Sequence, residues 1–160
     1  MSIFTFGEEQ TYHFEEVDIN IPIGNPIYVD GILVGGLKAH HLKDTELGYK
    51  IISIEGIEIL PKFRKQGIAK EVIKCFKERY DIVSGGVDNY DSLGFWEKMG
   101  AKIIDLPKEI IPSFTKKTEI LVSFFISNDE IKLEKMLNKF KKHIEDKKND
   151  KTRKFQFNSF

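Results

Sequence analysis

A basic, glycine-containing turn between a strand-like segment and a helix-like segment constrains the fold of this chain more than any other feature. Apolar residues dominate 51–60, and the apolar residues of 69–80 recur at helical spacing. Between them stands the sequence Pro61-Lys62-Phe63-Arg64-Lys65-Gln66-Gly67-Ile68-Ala69. A strand that turns directly into a helix predicts a mixed α/β fold, in which helices pack on a sheet.

The turn also has the chemistry of a phosphate-binding loop. The first N–H groups of a helix have no acceptor within it, and the helix dipole adds partial positive charge there, so an anion is stabilised at that end. Gly67 has no Cβ to keep a ligand away, and Arg64, Lys65 and Lys70 add positive charge. We therefore expect a phosphate group to bind the turn, at Arg64, Lys65, Gln66, Gly67, Ile68 and Ala69.

Two motifs resemble the GNAT superfamily of acetyl-CoA-dependent N-acetyltransferases. Arg64-x-x-Gly67-x-Ala69, after a strand that ends Ile57-Glu58-Ile59-Leu60-Pro61, is similar to the family's acetyl-CoA signature. Asn89 with Gly94-Phe95-Trp96-Glu97-Lys98-Met99-Gly100-Ala101 resembles the later motif that closes over pantetheine. The two motifs occur in the family's order and span about a third of the chain, residues 51–103.

The resemblance implies both the fold and the co-substrate. The fold class would be α/β, with a mixed, mostly antiparallel sheet whose splayed central strands are flanked by helices, plus an added C-terminal helix. Acetyl-CoA would be the co-substrate, and no metal would be needed. Its pantetheine would pair like an added strand with the backbone of the fourth strand, at Ile57 and Ile59. Asn89 and Trp96 would complete the CoA site.

The expected general base departs from the family pattern. Family members commonly place a glutamate on the fourth strand, and counting back from Arg64 that position is Ser53. Glu55 lies two residues further on, and residues two apart in a strand share a face, so Glu55 is the candidate base. The alternative is that Glu55 is an ordinary surface carboxylate.

The expected general acid departs as well. Many members use a tyrosine seven residues after the position of Asn89, where this chain has Trp96. An indole N–H only donates and does not act as an acid near neutral pH, so we expect Trp96 to wall the acetyl or pantetheine pocket. Tyr90 is an alternative acid. Even without a general acid, much of the rate acceleration can come from placing the amine beside the thioester and from an oxyanion donor near Ile59.

Turn-forming residues and the periodicity of hydrophobic residues predict the remaining elements. Asp30-Gly31 predicts a hairpin over 26–41, and Ser127 to Glu130 predict a helix start. Residues 21–26, which contain Pro22 and Pro26, read as a break after a first strand. The other predicted strands are 11–20, 51–60, 81–83, 102–105 and 119–126, the predicted helices are 69–80, 90–99 and 130 to about 147, and the predicted breaks are 42–48 and 84–86.

Composition bounds the class of protein. The chain has 160 residues, 41% hydrophobic and 31% charged, which predicts one globular domain over 1–147 and a basic, flexible tail over 148–160. The start of the chain lacks the features of a signal peptide, and the apolar run 120–126 is too short to cross a membrane. Cys75 is the only cysteine, so no intrachain disulfide can form and a cytoplasmic location is expected.

Two further residue types are read as structural. Cys75 lies near the apolar face of its helix, and nothing near it in sequence favours a reactive thiolate. His40 and His41 are adjacent in a predicted strand, so their rings should point to opposite faces. Without a third ligand at a recognised spacing they do not predict a metal site.

Charge is uneven although the net charge is zero. Residues 1–60 carry ten acidic and three basic side chains, whereas residues 61–80 carry two acidic and seven basic ones. The basic block falls where the phosphates of CoA would lie, and the acidic block favours a cationic acceptor. Residues 139–160 carry eight basic and three acidic side chains, which we read as a solvated tail rather than a nucleic-acid site.

These observations favour an N-acetyltransferase that moves the acetyl group of acetyl-CoA to a primary amine by direct attack on the thioester. The acceptor would be a small molecule or a peptide. In the family, two helices before the hairpin often wall the acceptor site, and this sequence shows no clear pair of helices there. The wall would instead come from the 42–48 loop, the C-terminal helix or a partner chain in a homodimer. The alternatives are a non-catalytic module that binds CoA or a protein, and a nucleic-acid-associated protein that uses the basic tail.

Overall fold

The computed structural model describes residues 4–6, 10–14, 19–87, 92–107 and 122–158, and the side chains of 25–87, 92–107 and 122–150. Contacts divide the chain into two compact units, residues 1–83 and 84–160. The predicted grouping of residues 1–147 into one domain stays a prediction.

The described residues of the first unit form an antiparallel sheet and one α-helix. Strands β1 and β2 both pair with β3, β3 pairs with β4, and β4 pairs with β5, all antiparallel. Before the β3–β4 hairpin, the described residues form strands and no helix. The elements are β1 Phe4–Phe6, β2 Gln10–Phe14, β3 Ile19–Val29, β4 Ile32–Asp44, β5 Tyr49–Ile59, a 3₁₀ turn Pro61–Phe63 and α1 Ile68–Arg79.

The predicted hairpin is confirmed. β3 and β4 meet at Asp30 and Gly31, whose φ angles are 52° and 76°. A two-residue hairpin turn with positive φ at both positions matches the right-handed twist of its strands, and an Asp-Gly pair accepts that conformation at low cost. β4 then extends to Asp44, so the first three residues of the predicted 42–48 loop are part of the strand.

The predicted break over 21–26 is wrong, because these residues lie inside β3. Proline cannot donate to a strand ladder and is tolerated in sheets mainly at edges and irregularities. Both prolines lie near register shifts: Pro22 faces Thr11, where the β2–β3 register changes, and Pro26 faces Gly36, two residues before Tyr28, where the β3–β4 register changes. Irregular pairing at these points accommodates residues that a local reading of the sequence takes as strand breakers.

α1 packs its predicted apolar face on the sheet. Val72, Ile73 and Phe76 are 0, 1 and 3% exposed, and the helix contacts β5, where Ile52 and Ile54 are buried. Burying side chains of this size stabilises the fold by about 1.5–3 kcal/mol each. The helix and the strand that flank the basic turn are therefore held together by a dry core.

The second unit contains the rest of the chain. β6 Ile82–Val87 carries the chain into it, and α2 Leu93–Lys98, β7 Lys102–Asp105, β8 Val122–Ile126 and α3 Glu130–Asn158 follow. β7 and β8 pair antiparallel. The predicted break over 84–86 is wrong, since β6 continues through both glycines to Val87, which is 3% exposed.

α3 is longer than predicted. Asp129 caps it, since its carboxylate accepts the N–H groups of Ile131 and Lys132 at 3.0 and 3.2 Å. The helix continues beyond 147 to Asn158 because no glycine or proline interrupts 130–158, so most of the predicted flexible tail is helical. Ile144 of α3 packs with Leu106, Ile104 and Phe140.

The close approach of β4 and β5 gives a stability prediction. A Cβ on Gly35 would lie 2.1 Å from the backbone oxygen of Glu58, whereas a Cβ on Gly56 in the neighbouring strand would meet nothing within 4 Å. Gly35→Ala should therefore lower the free energy of unfolding by about 2 kcal/mol or more. Gly56→Ala is the matched control and should change it by less than about 1 kcal/mol. Urea denaturation followed by circular dichroism measures both, and equal stabilities would contradict this packing.

Candidate active site

The end of β5 fixes where the basic turn begins. The Leu60 N–H donates to the Val34 oxygen at 2.8 Å, so pairing with β4 persists to the last residue before the turn. Pro61 opens the 3₁₀ turn, and the N–H groups of Phe63 and Arg64 donate to the oxygens of Leu60 and Pro61 at 2.8 and 3.3 Å. The chain thus leaves the sheet through a hydrogen-bonded turn.

The turn then presents open backbone donors at the start of α1. Gly67 is the N-cap residue with φ 77°, and no side chain caps the helix. The Glu71 N–H makes a helical bond to the Gly67 oxygen at 3.0 Å. The N–H groups of Ile68, Ala69 and Lys70 precede that bond, so they lie in the helical turn whose donors have no helical acceptor. This is the donor arrangement of a helix N-terminus that binds an anion.

Backbone strain supports the same reading of the turn. Lys65 has φ 63°, a left-handed conformation that costs a non-glycine residue about 1 kcal/mol or more. Together with Gly67 it bends the chain sharply into α1. Non-glycine residues held in this conformation cluster at ligand-binding turns, although the conformation does not by itself identify a ligand.

The side chain of Arg64 is directed back towards β5. Its Nε donates to the Ile59 oxygen at 2.8 Å, and its guanidinium pairs with Glu58 Oε1 at 2.7 Å. An exposed ion pair adds little stability, so its main effect is to fix the turn against the strand end. Of the predicted phosphate contacts, Lys65 and Gln66 are exposed on the turn, and Gln66 donates to the Lys62 oxygen at 3.4 Å.

Glu55 occupies a β-bulge in β5. Lys38 of β4 faces Gly56 while the next residue, Ala39, faces Ile54, so Glu55 has no direct partner across the ladder. Gly56, the next residue, is a glycine within a mostly apolar strand, which is a local sequence signal for a bulge. A bulge re-aims the side chain of its extra residue and is a frequent feature beside active sites.

The carboxylate of Glu55 lies between two β4 side chains. Its oxygens are 3.6 Å from Lys38 Nζ and 3.3 Å from His40 Nδ1, and its side chain is 47% exposed. His40 directly faces Ser53, and directly opposed side chains share a face of the sheet. Sequence reasoning missed Lys38 and His40 as neighbours of Glu55, because the contact depends on the β4–β5 register.

Trp96 lies on α2 in the second unit. It is 7% exposed, and its ring stacks on Phe124 with centroids 4.0 Å apart at 19°. The indole is thus held by β8, and Gly100, with φ 87°, follows α2. The motif residue Asn89 and the alternative acid Tyr90 lie outside the described residues.

Cys75 has the environment of a structural thiol. Burial raises its pKa above the ordinary value, and the nearby carboxylates of Glu71 and Glu78 raise it further. A raised pKa lowers the thiolate fraction near neutral pH, which disfavours nucleophilic chemistry. Among the described residues, no cluster of three or more His, Cys, Asp or Glu side chains could hold a metal ion. Within the same part of the chain, no helix is long and apolar enough to span a membrane.

Comparison with solved structures supports the fold. The structure of Arabidopsis thaliana Naa50 in complex with the bisubstrate analogue CoA-Ac-MVNAL aligns with TM-score 0.50 and 16% identity over 65% of this chain and 74% of that one. The Bacillus subtilis N-acetyltransferase YlbP in complex with coenzyme A aligns with TM-score 0.50 and 14% identity over 66% and 67%. No curated protein matches the chain in sequence.

The sequence profile of the acetyltransferase (GNAT) family supplies the family assignment. It matches residues 3–101, more than half of the chain, and this range includes β5, the basic turn and α1. The mixed α/β fold with its mostly antiparallel sheet agrees with that match. The chain belongs to the acetyltransferase (GNAT) family.

Proposed function

We propose that this protein transfers the acetyl group of acetyl-CoA to a primary amine by direct attack of the amine on the thioester. The observation that carries the proposal is the N-terminus of α1, where uncapped backbone donors follow the left-handed Gly67. These residues fit CoA, because the uncapped N–H groups can donate to its pyrophosphate and the exposed Lys65 and Lys70 add positive charge. CoA-bound family relatives support the same co-substrate.

The predicted CoA contacts divide between three places. The pyrophosphate binds the turn, at the residues from Arg64 to Ala69. Arg64 contributes mainly by holding the turn, because its own N–H and guanidinium bond to Pro61, Ile59 and Glu58. The pantetheine pairs with the β5 backbone at Ile57 and Ile59. Asn89 and Trp96 remain proposed contacts of its reactive end.

Glu55 is the proposed general base. It lies four residues before the end of β5, roughly 13 Å along the strand from the turn, which is the direction in which pantetheine would extend. Its half-exposed carboxylate can reach an amine directly or through one water molecule. Lys38 and His40 hold the carboxylate from either side and orient it.

The reaction then balances as an acyl transfer. The amine nitrogen forms a bond to the acetyl carbon and gives its proton to Glu55. A backbone N–H near Ile59 donates to the developing oxyanion. The carbon–sulfur bond breaks, and the sulfur takes a proton from water because the tyrosine position of the family holds Trp96. The hydroxide that remains takes the amine proton from Glu55, which restores the carboxylate.

The acceptor is a small-molecule or peptide amine. The excess of acidic side chains in residues 1–60 favours a cationic acceptor, because an amine protonated in solution is attracted to a negative surface. A non-catalytic CoA-binding module is the second candidate, and the buried Trp96 at the tyrosine position favours it.

Coenzyme A binding tests the phosphate turn. Gly67→Glu places a carboxylate where the pyrophosphate should bind, so it should weaken CoA binding by more than about tenfold. Gly48→Glu is the matched control, since Gly48 also has a positive φ, 75°, and its Cβ would meet open space. Isothermal titration calorimetry compares both variants with the parent. Equal affinity in all three proteins would show that the turn does not bind the pyrophosphate.

Trp96 variants test whether the indole acts as an acid. Trp96→Phe keeps an aromatic ring against Phe124, so it should retain most of the turnover of the parent. Trp96→Ala should weaken CoA binding and also destabilise the unit by about 3 kcal/mol or more, through the cavity that it leaves. Thiol release from acetyl-CoA and thermal melting separate the two effects. A large loss of turnover in Trp96→Phe, with unchanged CoA affinity, would contradict a non-acidic role.

Glu55→Gln tests the general base. The variant keeps the shape of the side chain and removes the proton acceptor, so transfer to an amine that is protonated at neutral pH should slow by roughly 10²- to 10⁴-fold. Higher pH should partly restore the rate, because more of the amine is then deprotonated. Glu78→Gln, an exposed carboxylate on α1, is the control.

The steady-state rate of thiol release, measured from pH 6 to about 10, reports both effects. An unchanged pH–rate profile in Glu55→Gln would show that Glu55 is a surface carboxylate. No transfer by the parent to any amine of a broad panel, with CoA still bound, would favour the non-catalytic module.

A further inference from the structure

A cavity of about 310 Å³ lies within the first unit, between the C-terminal end of α1 and strands β4 and β5. Its floor is apolar, because it is lined by the buried side chains of Leu37, Ile52 and Phe76. A volume of this size is at the lower end of the range of small-molecule sites. The cavity is therefore large enough for a compact organic ligand but not for a cofactor of the size of CoA.

The cavity is separate from the proposed acetyl-transfer site. The residues Leu37, Ala39 and His41 of β4 line it, whereas the alternate residues Lys38 and His40 contact Glu55. Successive side chains of a strand point to opposite faces, so the cavity and Glu55 lie on opposite faces of the sheet. α1 has 12 residues and is about 18 Å long, which separates the cavity from the phosphate turn at its other end.

A paired histidine and tyrosine supply one donor to the rim. Tyr80 Oη lies 2.5 Å from His41 Nδ1, and both residues line the cavity. If the tyrosine hydroxyl donates, the proton of the neutral imidazole is on Nε2; if Nδ1–H donates, the hydroxyl proton is left over. In either arrangement the pair keeps one donor that is not used within it.

Arg79 and Asn25 complete the rim. Arg79 is exposed beside the cavity, and no carboxylate among the described residues lies within ion-pair distance of its guanidinium. Asn25 adds an amide, which can donate two hydrogen bonds. The rim thus combines the Arg79 guanidinium with several neutral donors above an apolar floor.

We propose that this cavity binds a small aromatic monocarboxylate. The carboxylate would bind the guanidinium of Arg79 and the spare donor of the His41–Tyr80 pair, since charge-assisted hydrogen bonds to a planar guanidinium favour a carboxylate. The ring would lie on the apolar floor beside Phe76 and Tyr80, whose rings pack edge to face with centroids 6.0 Å apart. One cation at the rim fits one carboxylate.

The test uses the full chain and para-fluorophenylacetate, observed by fluorine NMR. The probe should bind, and its uncharged amide analogue should bind at least about tenfold more weakly, because it cannot pair with Arg79. Arg79→Gln should weaken binding of the carboxylate to the same extent. Lys74→Gln is the matched control: it removes an exposed cation from the same helix, at a position that does not line the cavity, and it should leave binding unchanged.

A second variant tests the cavity itself. Ala39→Leu fills the space from the β4 side and should abolish binding of the probe, with folding checked by circular dichroism. If Ala39→Leu does not fold, Tyr80→Phe takes its place, since it removes the hydroxyl and should weaken binding. Equal affinity in the parent, Arg79→Gln and the cavity variant, or no binding of the probe at millimolar concentration, would overturn the proposal. CoA binding is measured on the same samples. A protein that binds CoA but not the probe contradicts the cavity proposal alone, and a protein that binds the probe but not CoA contradicts the proposed function alone.

Discussion

The antiparallel pairing of β4 with β5 is the interaction on which the candidate site depends. It runs from Asp44 and Tyr49 to Gly35 and Ile59, and it ends where the Leu60 N–H bonds to Val34. The backbones are so close at Gly35 that no side chain fits there. This pairing fixes the direction in which the chain enters the turn, and with it the orientation of the N-terminus of α1.

The same pairing generates the two faces of the sheet. On one face, the bulge turns Glu55 outward from the ladder and places its carboxylate beside Lys38 and His40. On the other face, α1 covers Ile52 and Ile54 but leaves a cavity beside its last turn. A polar, half-exposed site and an apolar pocket therefore arise from one pair of strands, because strand side chains alternate.

Local signals in the sequence predicted the elements around the site. The Asp-Gly pair at the hairpin, the turn before α1 and the apolar face of α1 each depend on residues close in sequence, so they could be recognised without the structure. The predicted breaks at Pro22 and at the glycines of β6 were wrong because pairing with other strands overrides local propensity. The end of α3 was placed too early, since charge alone does not end a helix.

The surroundings of the candidate base could not be predicted in the same way. Neither Lys38 nor His40 is close to Glu55 in sequence, and a shift of one residue in register would have placed both on the other face. The role of Arg64 was also incompletely predicted: its charge suggested a phosphate contact, but its guanidinium bonds to Glu58 and Ile59. Register and side-chain direction are properties of the folded sheet, and a linear motif does not contain them.

Backbone amide NMR during titration with CoA reports on each N–H group of the turn separately. The largest chemical-shift changes should occur at the N–H groups of Gly67 to Lys70, because these donors precede the helical bond of Glu71. Residues of the cavity at the other end of α1 should change little. Changes concentrated elsewhere in the chain, with none at the start of α1, would contradict the assignment of this turn as the phosphate site of an acetyltransferase.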